Sequence, residues 1–236
     1  MSVSTSPAKQ PVTREIYYPE TDGEPMAETD LHRDLMIDLI SALDVHFKDD
    51  PEVYVSGDLL IYYVEGDRTK RVAPDVFVVR GVPKHRRRIY KLWEEARAPE
   101  VVIEVSSRGT IRNDTQKKAP LYARWGVREY YLFDPEYDWL PDGLAAHRLD
   151  DGIYEDMEIK DGVVHSAALG LDLVDTGATL RLRDPRTGQF LPTLLEAVEA
   201  RQQAEAARQE AEARANAADA EAARLREELA RLRAQS

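Results

Sequence analysis

The chain is expected to fold as an α/β domain of the α+β kind, a mixed β-sheet with helices packed on it, followed by one long helix. Three observations carry this. Short β-branched runs such as Val76-Phe77-Val78-Val79 and Val101-Val102-Ile103 alternate with helix-patterned stretches. Turn residues separate them, at Asp22-Gly23, Glu65-Gly66-Asp67 and Gly126. From about Leu194 the composition changes to Ala, Glu and Arg, without Gly or Pro.

In chain order, residues 1–15 carry few apolar anchors and read as a flexible N-terminus. Residues 16–192 form the folded domain and 193–236 the helical tail. Thr29 or Asp30 can cap a helix over about Leu31 to Phe47, where Leu35, Met36, Leu39, Ile40 and Leu43 follow helical spacing. Arg33, Asp34 and Asp38 occupy its other face. Val53-Tyr54-Val55 and Leu59 to Val64 read as strands. The Val76 strand follows, then a basic loop leading to the Val101 strand. Asn113 or Asp114 can cap a second helix reaching Trp125, which Gly126 ends. Pro120 inside that helix predicts either a kink or a later start. Arg128 to Asp134 is a further strand. Weaker short strands follow at Ala146 to Leu149, Val163-Val164 and Leu180 to Leu182.

In the tail, Ala197, Ala204, Ala211, Ala218, Leu225 and Leu232 recur every seven residues. Leu194, Ala215, Ala222 and Leu229 fill the companion register, interrupted by Arg201 and Arg208. This is coiled-coil character, strongest at the C-terminal end, and it predicts a homo-oligomer such as a dimer. A mostly solvated single helix held by charge pairs is the competing expectation.

The net charge is -12 at pH 7 and there is no cysteine. Disulfides and thiolate metal sites are excluded. No secretory pattern opens the chain and no apolar run approaches the roughly 20 residues that cross a bilayer. A cytoplasmic protein with no membrane partner is expected. The acidic balance argues against a general nucleic-acid coat protein but not against a nuclease, whose metal site needs carboxylates. Positive charge is clustered in two groups, Lys84 to Arg88 with Lys91, and Arg108, Arg112, Lys117 and Lys118. Both flank the strand that ends at Glu104. Phosphate contacts are expected from Arg86, Arg87, Arg88, Arg108, Arg112 and Lys117.

Asp75 opens one apolar strand, fixed there by Pro74, and Glu104 closes the next. Buried carboxylates are costly unless compensated, and a bound cation is a common compensation. If the two strands are neighbours, Asp75 and Glu104 converge on one cation, with the main-chain carbonyl of Val105 as a further oxygen. Magnesium is typically held by one or two carboxylates, waters and substrate phosphate. A lysine nearby activates water or holds the scissile phosphate. The histidines at 32, 46, 85, 147 and 165 show no zinc spacing, and neither a phosphate-binding glycine loop nor a nucleophile elbow is present.

At these residues the chain resembles the PD-(D/E)XK nuclease superfamily, and within it the putative restriction endonuclease family (DUF820-like). The matching pieces are Thr21-Asp22-Gly23-Glu24, the helix near His32, Pro74-Asp75-Val76, Val102 to Ser107, Lys118 with Leu121-Tyr122-Ala123, Gly126 to Tyr131, and Asp134-Pro135. The resemblance spans about residues 17–190. It implies a restriction-endonuclease-like mixed central sheet, with Asp75 and Glu104 as metal ligands. The simple motif places a lysine two residues after the glutamate, where this chain has Ser106. The family's lysine lies on the following helix, and Lys118 matches it. The expected function is therefore a magnesium-dependent DNA endonuclease, with manganese as a substitute ion and Asp75, Glu104 and Lys118 catalytic. Whether Glu28, His32, Asp34 or Asp38 assists stays open, helix capping or a solvated face being the other reading for the three acidic residues. The alternative is a catalytically inactive nucleic-acid-binding or assembly module on the same fold.

Overall fold

The computed structural model describes residues 16–21 and 29–234. The expectations for residues 1–15 and for Glu28 lie outside the described residues. Thr29 caps the first helix, its hydroxyl accepting the His32 backbone N–H at 3.2 Å, and α1 runs Asp30–His46. Strands β1 (Val53–Ser56), β2 (Ile61–Tyr62), β3 (Arg71–Val72), β4 (Val76–Arg80) and β5 (Tyr90–Lys91) follow, then the short helix α2 (Leu92–Glu95) and β6 (Val101–Val105). Next comes a composite helix: α3 (Ile111–Asn113), a π-helical turn (Asp114–Lys118) and α4 (Ala119–Trp125). Strands β7 (Glu129–Phe133), β8 (Leu144–Asp150), β9 (Ile153–Asp156), β10 (Val163–Ser166), β11 (Leu171–Asp175) and β12 (Leu180–Arg183) precede the tail helix α5 (Leu194–Ala234).

Six strands form the central sheet in the order β1-β4-β6-β7-β8-β9. It is mixed because β6 and β7 are parallel, joined across the face by the composite helix, whereas every other pair is antiparallel. Strand alternation sends Val101, Ile103 and Val105 to one face and Val102 to the other. On the first face Leu35, Leu39 and Leu43 of α1 pack with Val76, Val78 and Ile103, and the small sheet β10-β11-β12 adds Leu171, Leu173 and Leu182. On the second, Tyr122 of α4 packs with Phe77, Val102, Tyr130 and Leu132.

Two expected elements change. The strand over Leu59 to Val64 shrinks to β2, because its partners pair with it only at Ile61 and Tyr62; the turn expected at Glu65-Gly66-Asp67 follows, the Val64 carbonyl accepting the Asp67 N–H. That strand joins β3 and β5 in a satellite sheet. The second helix starts at Ile111, so Asp114 is inside it rather than at its cap. Pro120 is accommodated near the start of α4, directly after the π-helical turn. That turn widens the helix just where proline removes a donor and crowds the preceding carbonyl.

The docking of the small sheet depends on Glu129, a buried carboxylate that no sequence signal singled out. It accepts from the Tyr131 hydroxyl at 2.9 Å, the Ser166 hydroxyl, and the Ala167 and Ala168 backbone N–H groups at 3.1 and 3.3 Å. These donors are all neutral, so the site is structural. No helix among the described residues is long and apolar enough to cross a membrane.

Candidate active site

The β4–β6 register pairs Val76 with Ile103, so Asp75 and Glu104 fall opposite each other one residue farther out. They are tied reciprocally. The Asp75 N–H donates to Glu104 Oε2 at 3.1 Å, and the Val105 N–H donates to Asp75 Oδ2 at 2.7 Å. Gly57 allows the approach of the neighbouring chain. A Cβ there would lie 2.0 Å from the Asp75 carbonyl oxygen.

Glu104 is fully buried. Lys118 Nζ donates to its Oε2 at 2.9 Å and the Tyr122 hydroxyl to its Oε1 at 2.7 Å. Lys118 also lies 3.1 Å from Asp114 Oδ1, while Ser106 Oγ donates to Asp114 Oδ2 at 3.1 Å. Asp114, Lys118 and Tyr122 are spaced by four residues along the composite helix. A four-residue step overshoots one α turn and falls short of one π turn. The π segment from Asp114 to Lys118 therefore offsets the drift of the α step from Lys118 to Tyr122, and all three reach the Glu104 pocket. Adjacent Lys117 faces solvent.

The electrostatics follow from burial. Desolvation pushes the Glu104 carboxyl up to about 8, against the pull of Lys118 and with the push of Asp75 and Asp114. Burial alone would lower Lys118, but Glu104, Asp114 and Asp75 outweigh it and hold the ammonium charged above its ordinary range. Burial raises the Tyr122 phenol, as does Glu104, which keeps it a donor. From α1, His32 is buried and its Nε2 lies 3.3 Å from Asp75 Oδ2.

The site has the donor types that a hard divalent ion uses: two convergent carboxylates in a pocket where a further cation would offset the cost of burying Glu104. Asp75 is the accessible member, its side chain 15% exposed against 0% for Glu104. Among the described residues no group of three or more His, Asp or Glu side chains is arranged so that it could hold a metal ion by itself. Magnesium needs none, since waters and substrate phosphate complete its shell.

The family model described as "Putative restriction endonuclease", Uma2, matches residues 10–179. The chain belongs to the Uma2 family. Among solved structures, a putative nuclease belonging to DUF820 from Anabaena variabilis ATCC 29413 is similar over 64% of this chain and 81% of that one. Its sequence identity is 18% and its TM-score 0.46. No curated protein matches.

Within this Uma2 domain the sequence-predicted residues divide. Asp75, Glu104, Lys118 and His32 come together. Val105 contributes its N–H to Asp75. Asp34 is exposed beside Arg33, and Asp38 accepts the Leu194 N–H, so neither joins the group. Arg108, Arg112 and Lys117 are exposed on the segment that follows Glu104. Arg86 is exposed too, beside a cavity of about 490 Å³ between α1 and β1. Arg88 is met by Glu20 at 2.6 Å.

Arg87 departs from expectation. Its guanidinium turns inward, bonds Glu95 at 2.6 and 2.9 Å and stacks 4.3 Å over the Tyr54 ring. Its side chain is 3% exposed, so it braces the basic loop rather than facing phosphate. Conversely, Asp114, Ser106 and Tyr122 belong to the site and were missed. The four-residue spacing from Asp114 through Lys118 to Tyr122 was the available signal.

Proposed function

We propose that this Uma2 protein is a magnesium-dependent DNA endonuclease. The observation that carries the proposal is the burial of Glu104 between Asp75 and Lys118. A lysine brought to a buried strand carboxylate beside a second carboxylate is more than core packing requires, as the neutrally satisfied Glu129 of the same sheet illustrates. Asp75 and Glu104 would hold the ion, with the Val105 carbonyl as a further oxygen. When bound, the ion supplies positive charge that polarises the scissile phosphate and acidifies water.

The chain's own groups do the rest. The Lys118 ammonium stabilises charge that develops on the phosphoryl oxygens, and Asp114 and Glu104 hold it in place. Tyr122 restrains Glu104 by its hydrogen bond. His32 orients Asp75. Arg108, Arg112 and Lys117, with Arg86 and Arg88, supply charge for the DNA backbone.

Plasmid cleavage with magnesium or manganese tests this, using the wild type, Asp75→Ala and Lys118→Ala. Loss of two or more orders of magnitude in both variants is expected. Equal cleavage by all three would defeat the assignment.

One observation favours a second reading, a nucleic-acid-binding module without catalysis. Both Glu104 oxygens already have donors from Lys118, Tyr122 and the Asp75 N–H. Calorimetric titration with magnesium separates the two. The nuclease reading requires binding that Asp75→Ala abolishes, and the second reading requires none.

A further inference from the structure

We propose that α5 is a dimerisation element, pairing in parallel and in register with α5 of a second copy over its C-terminal half. The helix spans 41 residues, Leu194–Ala234. Its base is fixed to the domain. The Thr193 hydroxyl accepts the Glu196 N–H at 3.2 Å while Glu196 accepts the Thr193 N–H at 2.8 Å, a reciprocal cap. Arg181 grips Glu196 at 2.8 Å and Asp38 accepts the Leu194 N–H at 3.2 Å. Beyond this base the helix runs through solvent, and Leu225, Leu229 and Leu232 are each more than half exposed. An isolated polar helix of this kind gains nothing from three exposed leucines on one seam.

The heptad sorts the charges. With Leu229 at position a and Leu225 and Leu232 at d, Arg201 and Arg208 fall at a. They oppose pairing in the first half of the helix, so the seam is confined to about Ala211 onward. In a parallel pair, each g residue faces the e residue five positions on in its partner. Arg214 then meets Asp219 of the second copy, and Glu221 meets Arg226, both attractive. An antiparallel pair that keeps the leucines together sets Arg226 against Arg233, which repel. The charges and the leucines therefore agree only on the parallel arrangement with a second copy of this chain.

A parallel pair carries both domains at the same end of the coil. On the nuclease reading above, that supplies two active sites to one duplex, so both strands are cut in one encounter.

The test is the mass of the full chain in solution by light scattering across a concentration series. The wild type should dimerise, and Leu225→Asp with Leu232→Asp should stay monomeric with an unchanged domain, since neither leucine is in its core. Glu221→Arg and Arg226→Glu should each raise the dissociation constant about tenfold, and the double exchange should restore it. A monomeric wild type, or a double exchange that fails to recover, would overturn the proposal. These readings do not require nuclease activity. Where cleavage occurs, the dimer should linearise plasmid and the monomeric variant should only nick it; linearisation by both would overturn the two-site consequence. Absence of cleavage in every sample would count against the nuclease reading and leave the pairing to the mass data.

Discussion

Replacing Lys118 by methionine removes its ammonium and keeps much of its apolar stem. The ammonium lies 2.9 Å from Glu104 and 3.1 Å from Asp114, whose side chains are 0% and 1% exposed. Without it, two buried carboxylates share a pocket with no cation. Breaking a buried ion pair by removing one partner costs about 3–5 kcal/mol, a large part of the roughly 5–15 kcal/mol that stabilises a domain. The variant can limit the loss by keeping the proton on Glu104, whose folded pKa burial already raises to about 8 and which loses the lowering pull of Lys118. A contribution of that sign is complete below the unfolded pKa and is lost as pH rises. The deficit should therefore change little between about pH 5 and pH 8, where both proteins hold the Glu104 proton in the fold, and grow above about pH 8, where only the variant still does. Urea unfolding in the presence of a chelator measures it. Magnesium should then recover part of the loss in the variant, by binding Asp75 and Glu104 in place of the missing ammonium. A difference below about 1 kcal/mol at both pH values would refute the view that Lys118 compensates Glu104.

Glu104→Gln should flatten a pH dependence. The wild-type carboxyl titrates at about 8 in the fold against an ordinary 4.5, so its contribution is present below about 4.5 and is lost as pH rises through about 8. Chelated wild type should lose stability towards alkaline pH more steeply than the variant, as read from urea midpoints. Arg87→Met should cost about 3 kcal/mol, because it removes the guanidinium that pairs with Glu95 and stacks over the Tyr54 ring, yet leave DNA affinity unchanged in salt-dependent binding assays. Arg108→Ala with Arg112→Ala should do the reverse, weakening DNA binding and lowering its salt slope by about one per lost contact. Gly57→Ala should impair cleavage from outside the site. Its Cβ would fall 2.0 Å from the Asp75 carbonyl oxygen and 2.6 Å from Ile40, so the strand bearing Asp75 must shift. Cleavage rate and thermal midpoint should fall together, whereas an unchanged rate would mean that Asp75 tolerates displacement.

Much of this was legible beforehand because it depends on local pattern. The periodicity of Leu35, Leu39 and Leu43 marked α1, the Val-rich runs marked β4 and β6, and Gly126 ended α4 at φ 81°. Residue chemistry also marked Asp75 and Glu104, since acidic side chains interrupt strands only at a cost. The strand over Leu59 to Val64 and the cap at Asn113 or Asp114 were misplaced for a related reason. Both were judged from their own few residues, while two-residue partner strands and a π segment decided their extent.

The amino-acid order by itself determined the mixed sheet with its helices, the family, the acidic pair and the separate character of the tail, because composition and short periods encode these directly. Tertiary structure decided the rest. The β4–β6 register set Asp75 against Glu104 across twenty-nine positions of chain. The π turn brought Asp114, Lys118 and Tyr122 to one pocket, and packing turned Arg87 inward while leaving Arg108 and Arg112 outside. The physical reason is that which charge is buried, and beside which partner, depends on contacts between segments distant in the chain, and no local pattern records those.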